Sequence, residues 1–317
     1  MNIQISGKKV IVFGGTGFIG SHLVNILCKY SCQVDIVTRS NLKKPDFFLG
    51  SEPGQVRIKK IEEFSAENLD RIISNADIVF NLIGILNESR RNFFKNVHTD
   101  IPEALAASSL RKGVSNFIHL SALNIENCPD SSYANSKLEG ENAIKREFPN
   151  CIIVRPSVVF GKRDNFTNLF FNISTFSPIL PLIGTPEIRR VNFIPRINFK
   201  KKVKFQPIYV GDLAYFLINV CTLKKKSYDL AGPAVQSFDQ IFDIILSARG
   251  RKRFYLPIPF FVAKVMAFFL ELLPKPILTR DQVRLLTRDN ISSKGLLNLK
   301  QYVKNPSALQ TIVETYL

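Results

Sequence analysis

The sequence has little of what marks several classes of protein. Its five cysteines form no paired framework, and no cluster of cysteine and histidine has metal-ligand spacing, so we expect no metal site and a reducing compartment. No apolar run reaches the roughly 20 residues that a bilayer-spanning helix needs. The start of the chain also lacks the composition of a signal peptide or a transit peptide. These absences predict a cytoplasmic protein without a transmembrane span.

Acidic residues are scarce relative to basic ones. The 317 residues include 43 Lys and Arg but 26 Asp and Glu, which gives a formal net charge of +17. This excess leaves open nucleic acid, an anionic membrane surface, or an anionic cofactor or partner protein, with biased composition as a further explanation. Because the chain has neither zinc-finger spacing nor the aromatic and basic signature of an RNA-binding module, we expect no nucleic acid. An anionic membrane or an anionic partner is favoured.

Short apolar strands alternate with helical segments in the first half of the chain. Near-continuous apolar strands in such an alternation are typical of a parallel sheet with helices on both faces. We therefore predict an α/β, Rossmann-type doubly wound sheet in residues 1–160 and a smaller, mostly helical lobe in residues 161–317, with a strand and helix near 205–223 returning to the core. The predicted strands are Lys9–Phe13, Gln33–Thr38, Ala76–Ile83, Asn116–Ser121 and Cys151–Arg155, and the helices among them are Ser21–Lys29, Ala66–Ser74, Ile101–Lys112 and Ala134–Phe148.

Two segments of the second half have an open role. The stretch Glu187–Lys204 is basic and has no clear period, so we expect a loop or an insertion there. The segment Pro259–Leu273 is very apolar, which fits a buried core helix. It equally fits a helix that caps a hydrophobic pocket, contacts a membrane protein or lies on a membrane surface. Together with the basic charge, this segment favours peripheral association with an anionic membrane.

Three glycines spaced three apart follow the first predicted strand. One glycine permits a tight turn, the next lets a pyrophosphate approach the backbone, and the last allows close packing of helix on sheet. The N-terminus of the following helix attracts the phosphate charge. We therefore predict a dinucleotide site at this junction. Its loop residues are Gly14, Thr16, Gly17, Phe18, Ile19 and Gly20.

The second predicted strand indicates which dinucleotide binds. A site for NAD(H) usually has Asp or Glu at the end of this strand, where it bonds the ribose 2′-hydroxyl. Here Arg39 follows Thr38, and Asp35 lies inside the strand. Because a guanidinium pairs well with a 2′-phosphate, we favour NADP(H). NAD(H) is the alternative, in which Arg39 is a solvated residue at the end of a strand.

The glycine spacing, continued by Phe18–Val24, resembles that of the extended and atypical short-chain dehydrogenases/reductases. In that superfamily a serine at a strand end orients the substrate carbonyl, and the tyrosine of Tyr-x-x-x-Lys gives or takes the proton. The resemblance assigns these roles to Ser121 and Tyr133, and it lets Lys137 bond the nicotinamide ribose. Tyr133 and Lys137 are four residues apart on a helix and share a face, so we expect the cation to lower the phenol pKa from about 10 toward neutrality.

Two observations weaken this catalytic interpretation. A fold does not guarantee a reaction, so the site could be inherited but idle. Many extended members also have an active-site asparagine before the serine strand, whereas this chain has His98 there and Asn96 two residues earlier. His98 then either polarises a substrate, holds a water molecule or has a structural role.

A closer resemblance extends over nearly the whole chain. Its segments look like those of the NADPH-binding accessory subunit of respiratory complex I and its bacterial relatives, and a related fungal branch is linked to ubiquinone biosynthesis. The resemblance implies that Asn81 and Gly84 line the cofactor, that Pro156, Ser157 and Val158 lie beside the nicotinamide, and that Asp212 anchors the return to the core. The matching segments are Asn81–Gly84, Phe117–Ser121, Arg155–Gly161, Gln206–Asp212, Leu230–Pro233, Thr279–Val283 and Asp289–Asn290.

Three functions follow from these patterns. The first is an NADP(H)-dependent oxidoreductase with a quinone-like or lipid-like substrate, in which Ser121, Tyr133 and Lys137 are catalytic. The second is a non-catalytic accessory or assembly subunit that binds complex I subunits, peripheral on the inner face of the respiratory membrane. A sugar-nucleotide epimerase or dehydratase is the weaker third, since the apolar second half fits a charged sugar nucleotide poorly.

Overall fold

The computed structural model of the chain describes residues 5–39, 52–90, 92–191, 194–222, 226–274 and 276–317. The strands are β1 (Lys9–Phe13), β2 (Gln33–Thr38), β3 (Val56–Lys60), β4 (Ile78–Asn81), β5 (Asn116–Leu120), β6 (Ile152–Pro156), β7 (Val159–Phe160), β8 (Ile179–Val191), β9 (Ile194–Lys201), β10 (Lys204–Phe205), β11 (Ile208–Tyr209), β12 (Ser227–Leu230), β13 (Gln236–Ser237) and β14 (Phe254–Pro259).

The α-helices are α1 (Phe18–Leu27), α2 (Ala66–Ile73), α3 (Ile101–Arg111), α4 (Ser132–Glu147), α5 (Thr167–Phe176), α6 (Val210–Asn219), α7 (Phe238–Ser247), α8 (Phe260–Leu270), α9 (Arg280–Leu285), α10 (Gly295–Lys300) and α11 (Leu309–Val313). A π-helical turn (Asn96–Asp100) precedes α3, and two short 3-10 turns (Ile125–Asn127 and Val220–Thr222) complete the set of described helical segments.

A seven-stranded parallel sheet forms the centre of the fold, in the order β12-β6-β5-β4-β1-β2-β3. Side chains alternate between its two faces: Val10 and Val12 contribute to one core cluster, whereas Ile11 and Phe13 contribute to the other. Helices α1 and α6 cover the first face, and α2, α3 and α4 cover the second. The sheet therefore has the Rossmann-type doubly wound architecture that the alternation predicted.

The second half of the chain contributes to both parts of the fold. Helix α6 packs on α1, and β12 pairs with β6 at the edge of the central sheet. Helices α5 and α8 contact a three-stranded sheet of order β14-β8-β9, and a phenylalanine-rich core lies beneath α5 and α7. We call this sheet, together with α5, α7, α8, α9 and α11, the second lobe. The sequence predicted the return of a strand and helix near 205–223, and it missed β12 as a further central strand. A domain division at residue 160 stays a prediction.

The stretch Glu187–Lys204 is not a loop, so that alternative was wrong, whereas an insertion stays a prediction. Strands β8 and β9 form an antiparallel hairpin through it, from Thr185 opposite Lys201 to Val191 opposite Ile194; residues 192 and 193 lie outside the described residues. The first half of β8 pairs with β14 and the second half with β9. Main-chain hydrogen bonds to two neighbouring strands therefore define β8. Its sequence lacks the apolar alternation from which a strand is recognised in a sequence.

No helix in the described ranges has both the length and the apolar character required to cross a bilayer. Helix α8, the most apolar segment in the sequence analysis, has 11 residues. At about 1.5 Å per residue it spans roughly half of a hydrocarbon core about 30 Å thick.

Candidate functional site

The candidate site lies where the central strands end. In a parallel sheet, the carboxyl ends of β1, β4 and β5 lie at one edge, and the segments that follow them carry Gly14, Gly84 and Ser121. Helix α4 carries Tyr133 and Lys137 to the same edge. The predicted phosphate loop and the predicted catalytic residues thus belong to neighbouring segments.

The glycine loop is closely packed against its neighbours. Gly14 has a φ of +79°, and a Cβ atom there would lie 3.0 Å from the carbonyl of Leu82. A Cβ at Gly20 would lie 2.7 Å from the Gly15 Cα and would collide with the Gly14 carbonyl oxygen. The Gly17 N–H donates to that oxygen at 3.0 Å. Glycine at positions 14 and 20 is therefore a steric requirement of this turn.

The N-terminus of α1 begins immediately after this loop. Gly17 is its N-cap, and among the described residues no side chain caps it and no acidic residue lies in its first turn. The first turn of a helix leaves N–H groups without intrahelical partners and carries partial positive charge. Phe18 and Ile19 open the helix and Thr16 precedes it, so these main-chain groups are suited to an anion such as a pyrophosphate.

The end of β2 carries a cation and no carboxylate. Asp35 lies within the strand, is buried, and pairs with Lys59 at 2.9 Å. Arg39 directly follows the strand, is exposed, and donates to the Asn92 side-chain oxygen at 2.8 Å. Arg39 thus lies directly after the strand, and selectivity for NADP(H) stays a prediction. Asn92 is a contact that the sequence did not predict.

Asn81 is the last residue of β4, and it is buried with its side chain hydrogen-bonded at both the nitrogen and the oxygen. Its amide nitrogen donates to Nδ1 of His119 at 3.0 Å, and its oxygen accepts from the Ile83 N–H at 3.2 Å. These bonds fix the segment between β4 and Gly84. The Nε2 atom of His119 is buried and has no hydrogen-bond partner within the described residues. Burial, and then the charge of Lys137, hold the pKa of His119 well below its usual range.

Lys137 connects α4 to the two strand ends. Its Nζ donates to the Leu120 carbonyl oxygen at 3.2 Å, and a Cβ at Gly84 would lie 3.3 Å from it. Burial lowers the pKa of Lys137 from 10.5 to about 8, against the opposing charge of Glu141. The cation therefore stands between Gly84 and the residue that precedes Ser121.

Ser121 follows β5, and its hydroxyl group is buried. The Ser121 Oγ atom has no hydrogen-bond partner in the described part of the chain, although buried hydroxyl groups are nearly always bonded. Its backbone N–H donates to Val154 on the neighbouring strand at 2.8 Å. An unpartnered hydroxyl beside a buried lysine is a polar position suited to a ligand.

Tyr133 lies in the first turn of α4, half-buried against aromatic rings. Its ring meets those of Phe94 and His98 edge-on, with centroids 5.9 and 5.3 Å apart. Burial, and next the charge of Asp281, raise the pKa of Tyr133 to about 12. The expected lowering toward neutrality was therefore wrong for this arrangement, because Lys137 bonds a main-chain carbonyl and the charge that acts on the phenol is negative.

His98 is fully buried and both of its ring nitrogens are occupied. Nε2 accepts the Ile85 N–H at 3.1 Å, and Nδ1 lies 2.9 Å from Ser136 Oγ, which donates to the Tyr133 carbonyl oxygen at 2.8 Å. These bonds are consistent with a neutral ring that donates from Nδ1. Burial, and then Lys137, lower the pKa of His98 to about 3. Of the three roles left open, the geometry favours the structural one.

Asp281 is a residue of the site that the sequence reasoning missed. Its carboxylate accepts from the backbone N–H of Ser132 at 2.8 Å and of Tyr133 at 3.1 Å, and from Ser131 Oγ at 2.8 Å. It thereby caps α4 from helix α9 of the second lobe. The segment Thr279–Val283 had been noticed only as part of a resemblance, and no local pattern connects it with Tyr133.

Asn290 is a second residue that the sequence reasoning missed. Its side-chain oxygen accepts from Ser157 Oγ at 2.6 Å and from the Val158 N–H at 3.0 Å, so two of the three predicted nicotinamide neighbours are bonded to it. Pro156 ends β6 and accepts the Leu123 N–H at 3.0 Å. Contact of residues 156–158 with a nicotinamide stays a prediction.

Asp212, the predicted anchor, lies in the first turn of α6. Its carboxylate accepts from the Ser307 N–H at 2.6 Å and so joins α6 to the segment before α11. Burial raises the pKa of this carboxyl group, and the bonds from Ser307 oppose the shift. The described residues contain no group of His, Cys, Asp and Glu that could hold a metal ion.

Comparison with known proteins gives a family and several relatives. The sequence model of the NAD dependent epimerase/dehydratase family matches residues 10–173, just over half of the chain. NADH dehydrogenase (ubiquinone) 1 alpha subcomplex subunit 9, mitochondrial, of Mus musculus is 28% identical over 312 residues, which are 97% of this chain and 79% of the mouse protein. A ceramide reductase of Caulobacter vibrioides is 30% identical over 175 residues, 55% of this chain and 54% of that protein.

Solved structures share the fold over almost the full length. UDP-glucose 4-epimerase of Thermus thermophilus, in complex with NAD, has a TM-score of 0.70 and 17% identity, and the match covers 97% of each chain. At this identity the likeness supports the Rossmann-type fold alone.

Proposed function

The chain belongs to the NAD dependent epimerase/dehydratase family, and from that membership we propose that it is an NADP(H)-binding oxidoreductase of the short-chain dehydrogenase/reductase type. When bound, the nicotinamide supplies or accepts the hydride at a carbonyl or hydroxyl carbon. The single observation that carries the proposal is the buried Ser121 hydroxyl, which has no hydrogen-bond partner within the described residues and belongs to the residue directly after the Leu120 carbonyl that Lys137 bonds.

The residues present fit such a cofactor. The glycine turn and the uncapped N-terminus of α1 suit a pyrophosphate, and exposed Arg39 suits a 2′-phosphate. Lys137, buried among main-chain groups, would bond the nicotinamide ribose. Asn81 fixes the path of the segment ending at Gly84, which would pass beside the cofactor.

Three side chains of the protein would have separate roles at the reacting carbon. Ser121 Oγ, buried with no other partner in the described ranges, would donate a hydrogen bond to the substrate oxygen. The Tyr133 hydroxyl group would transfer the proton, and Lys137 would hold positive charge nearby. A phenol whose pKa is about 12 is protonated at neutral pH, and this favours carbonyl reduction, in which Tyr133 gives up a proton.

An apolar ketone or quinone is the substrate class that we propose. A relative that matches about half of this chain is named ceramide reductase, and the second lobe exposes an unusual number of phenylalanines. A sugar-nucleotide epimerase is the weaker alternative. It would interconvert sugar nucleotides without net consumption of the cofactor, so product analysis separates the two reactions.

A second candidate function is that of an accessory or assembly subunit of respiratory complex I, peripheral on the inner face of the membrane. The observation that favours it is the match to the mouse subunit over 97% of this chain. In this case the nucleotide stabilises the fold and Tyr133 has no chemical role.

Nucleotide binding is tested by paired glycine variants. Gly20→Ala would drive a Cβ atom into the Gly14 carbonyl, whereas Gly17→Ala meets that oxygen at 3.2 Å on an exposed helix cap. We expect titration calorimetry with NADPH to show a loss of about 100-fold in affinity for Gly20→Ala, together with a lower melting temperature, and a loss of at least about tenfold for Gly17→Ala at a nearly unchanged melting temperature, because its Cβ would obstruct the approach of the pyrophosphate. Arg39→Gln should weaken NADPH binding more than NADH binding. Equal losses for the two nucleotides would contradict the preference for NADP(H).

Turnover is tested with NADPH and a panel of long-chain ketones and quinones. We expect the wild-type protein to oxidise NADPH with at least one of them, and Tyr133→Phe to reduce kcat at least about 100-fold while NADPH affinity is kept. If Tyr133→Phe complements a deletion strain fully while Gly20→Ala does not, the oxidoreductase proposal fails and the accessory role gains support.

A further inference from the structure

The second lobe carries a strongly apolar surface on α8, the preceding strand and the end of α5. We call it the apolar face. Four of its side chains, Phe176, Phe254, Phe261 and Leu272, are between 74% and 90% exposed. Isolated exposed apolar residues are ordinary, but several large ones together mark a surface that another apolar phase covers. The apolar face is defined by Phe176, Phe254, Leu256, Phe261, Phe269 and Leu272.

Helix α8 contacts the protein through its smallest side chains. Ala263 and Ala267, four residues apart, are its two buried residues, and they pack with Ile258 of β14 and Val283 of α9. Phe260, at the start of the helix, also packs on the core. The other large side chains of the helix are exposed, namely Phe261, Val262, Val265, Met266, Phe268 and Phe269. The helix presents its bulk to the outside, which is the reverse of a core helix.

The strand before α8 extends the same face. Ile258 lies opposite Ile183 of β8, and α8 covers both residues. Leu256 and Phe254 precede Ile258 by two and four residues, so they share its side of the sheet, but α8 does not cover them. Phe254 also bonds the main chain at Pro178, two residues after Phe176. The exposed residues thus belong to segments that adjoin one another through β14.

The segments that form the apolar face also carry an excess of basic residues. Between residues 249 and 280 the chain has seven basic residues and one acidic residue, Glu271, which is paired with Arg280 at 2.8 Å. Arg251 and Arg253 bond the end of α5 beside Phe176, and Lys252 between them is exposed. Lys264 is exposed within α8 itself. Phenylalanines bordered by lysine and arginine complement a layer with an apolar interior and phosphate headgroups.

We propose that the apolar face docks on an anionic lipid bilayer, with α8 lying in the plane of the interface. Eleven residues are too few to cross the hydrocarbon core, so the helix lies on the bilayer. A protein partner would need a complementary acidic rim around an apolar centre, whereas an anionic leaflet supplies both features over any area. The charge distribution therefore favours the bilayer over a protein or a second copy of this chain.

Helix α9 links the apolar face to the candidate active site. Arg280 bonds Glu271 at the end of α8 and lies 5.2 Å from the centre of the Phe268 ring. The next residue, Asp281, caps the helix of Tyr133, and Gln282 donates to Asn87 in the segment that follows β4. Docking would therefore bring the catalytic helix close to the bilayer, from which a lipid-like substrate can enter.

Flotation with lipid vesicles tests the proposal on the full chain. We expect binding to an equal mixture of phosphatidylglycerol and phosphatidylcholine, and at least about tenfold weaker binding to phosphatidylcholine alone. Added salt should weaken the binding. The variants Phe261→Ser/Phe269→Ser and Lys252→Glu/Lys264→Glu should each lower the partition coefficient at least about tenfold.

Matched controls are the exposed Leu110→Ser on α3 and Lys304→Glu after α10, which should bind as the wild type does. Equal melting temperatures would show that all variants are folded. Equal binding to both kinds of vesicle, or unchanged binding of the double phenylalanine variant, would overturn the proposal. The proposal would also be overturned if the wild type is an oligomer, the double phenylalanine variant is a monomer, and neither protein binds vesicles. Because no readout involves turnover, these outcomes are independent of the oxidoreductase proposal.

Discussion

The carboxylate of Asp281 accepts the backbone N–H of Tyr133 at 3.1 Å, across 148 positions of sequence. The same carboxylate caps the first turn of α4 and is, after burial, the second cause of the raised pKa of the phenol. Asp281 of the second lobe thus fixes the position of the helix that carries the proposed proton donor, and it affects the pH at which that donor ionises.

Asp281→Asn tests this relationship. Loss of the charge weakens the cap, so we expect a destabilisation of about 1 kcal/mol. It also removes one of the two causes that raise the Tyr133 pKa, so the phenol should ionise at lower pH and reduction should begin to decline at lower pH. A spectrophotometric tyrosine titration, with Tyr133→Phe as the reference, measures the shift. Asp289→Asn, which neutralises the carboxylate that accepts the Lys204 backbone N–H, should leave the titration unchanged.

The sequence predicted the parts of this protein that depend on local patterns. The strands Lys9–Phe13 and Gln33–Thr38 were predicted with the bounds observed, because both are apolar runs bounded by turn residues. Tyr133 and Lys137 were placed on one helix by their spacing of four. The two short, partly polar strands β3 and β12 were missed, because an edge strand has no continuous apolar run to reveal it.

The sequence could not predict contacts between distant segments. Asn290 lies 133 positions from Ser157, and Asp281 lies 148 positions from Tyr133, so no periodicity relates them. Asn and Asp at such positions resemble ordinary loop residues. The predicted direction of the Tyr133 pKa shift was wrong for the same reason, because the pKa depends on burial and on Asp281 rather than on the adjacent turn of α4.

Lys137→Met should stabilise the folded protein while abolishing the proposed reaction. The pKa of Lys137 falls from 10.5 to about 8 on folding, which corresponds to roughly 3 kcal/mol of unfavourable free energy for the buried cation. The unfolded chain binds this proton more tightly, so the penalty is present in full below about pH 8 and lessens as pH rises toward 10.5. We expect a gain of about 1–3 kcal/mol in urea unfolding at pH 7.

Lys145→Met on the same helix is the matched control, because Lys145 is 46% exposed and pairs with Glu141 at 3.6 Å. The free energy of unfolding of the Lys145→Met variant should differ from that of the wild type by less than about 0.5 kcal/mol. A destabilised Lys137→Met variant would show that the bonds made by the cation outweigh its burial.

His98→Asn should reduce the sensitivity of the fold to acid. The folded protein protonates His98 only near pH 3, whereas the unfolded chain does so near 6.5. The unfolded state therefore binds more protons between these values, and the contribution of His98 alone should lower the free energy of unfolding by about 1.6 kcal/mol from pH 6.5 to 5. The variant should be less stable at pH 7.5, because the bonds of residue 98 to Ile85 and Ser136 are weakened. Its free energy of unfolding should nevertheless fall less than that of the wild type on acidification. Urea titrations at both pH values measure this difference.

His22→Asn is the control for this exchange. His22 is half-buried, and one of its ring nitrogens lies 3.2 Å from the Lys162 carbonyl oxygen. The variant should keep most of the acid-dependent loss of stability. If His98→Asn loses as much stability as the wild type, the buried ring is already protonated in the folded state.

Asn290→Ala should weaken nucleotide binding as well as stability. Removing the side chain leaves the Val158 N–H without its acceptor and the Ser157 hydroxyl with only the main-chain oxygen of residue 290 at 3.1 Å, which we expect to cost about 1–3 kcal/mol of unfolding free energy. If these residues lie beside the nicotinamide, their displacement should also raise the Kd for NADPH about tenfold. Asn298→Ala removes a comparable bond, to the Asp229 carbonyl oxygen at 2.9 Å. That control should lose stability and keep its affinity for NADPH, and a parallel loss of affinity in both variants would make Asn290 a purely structural residue.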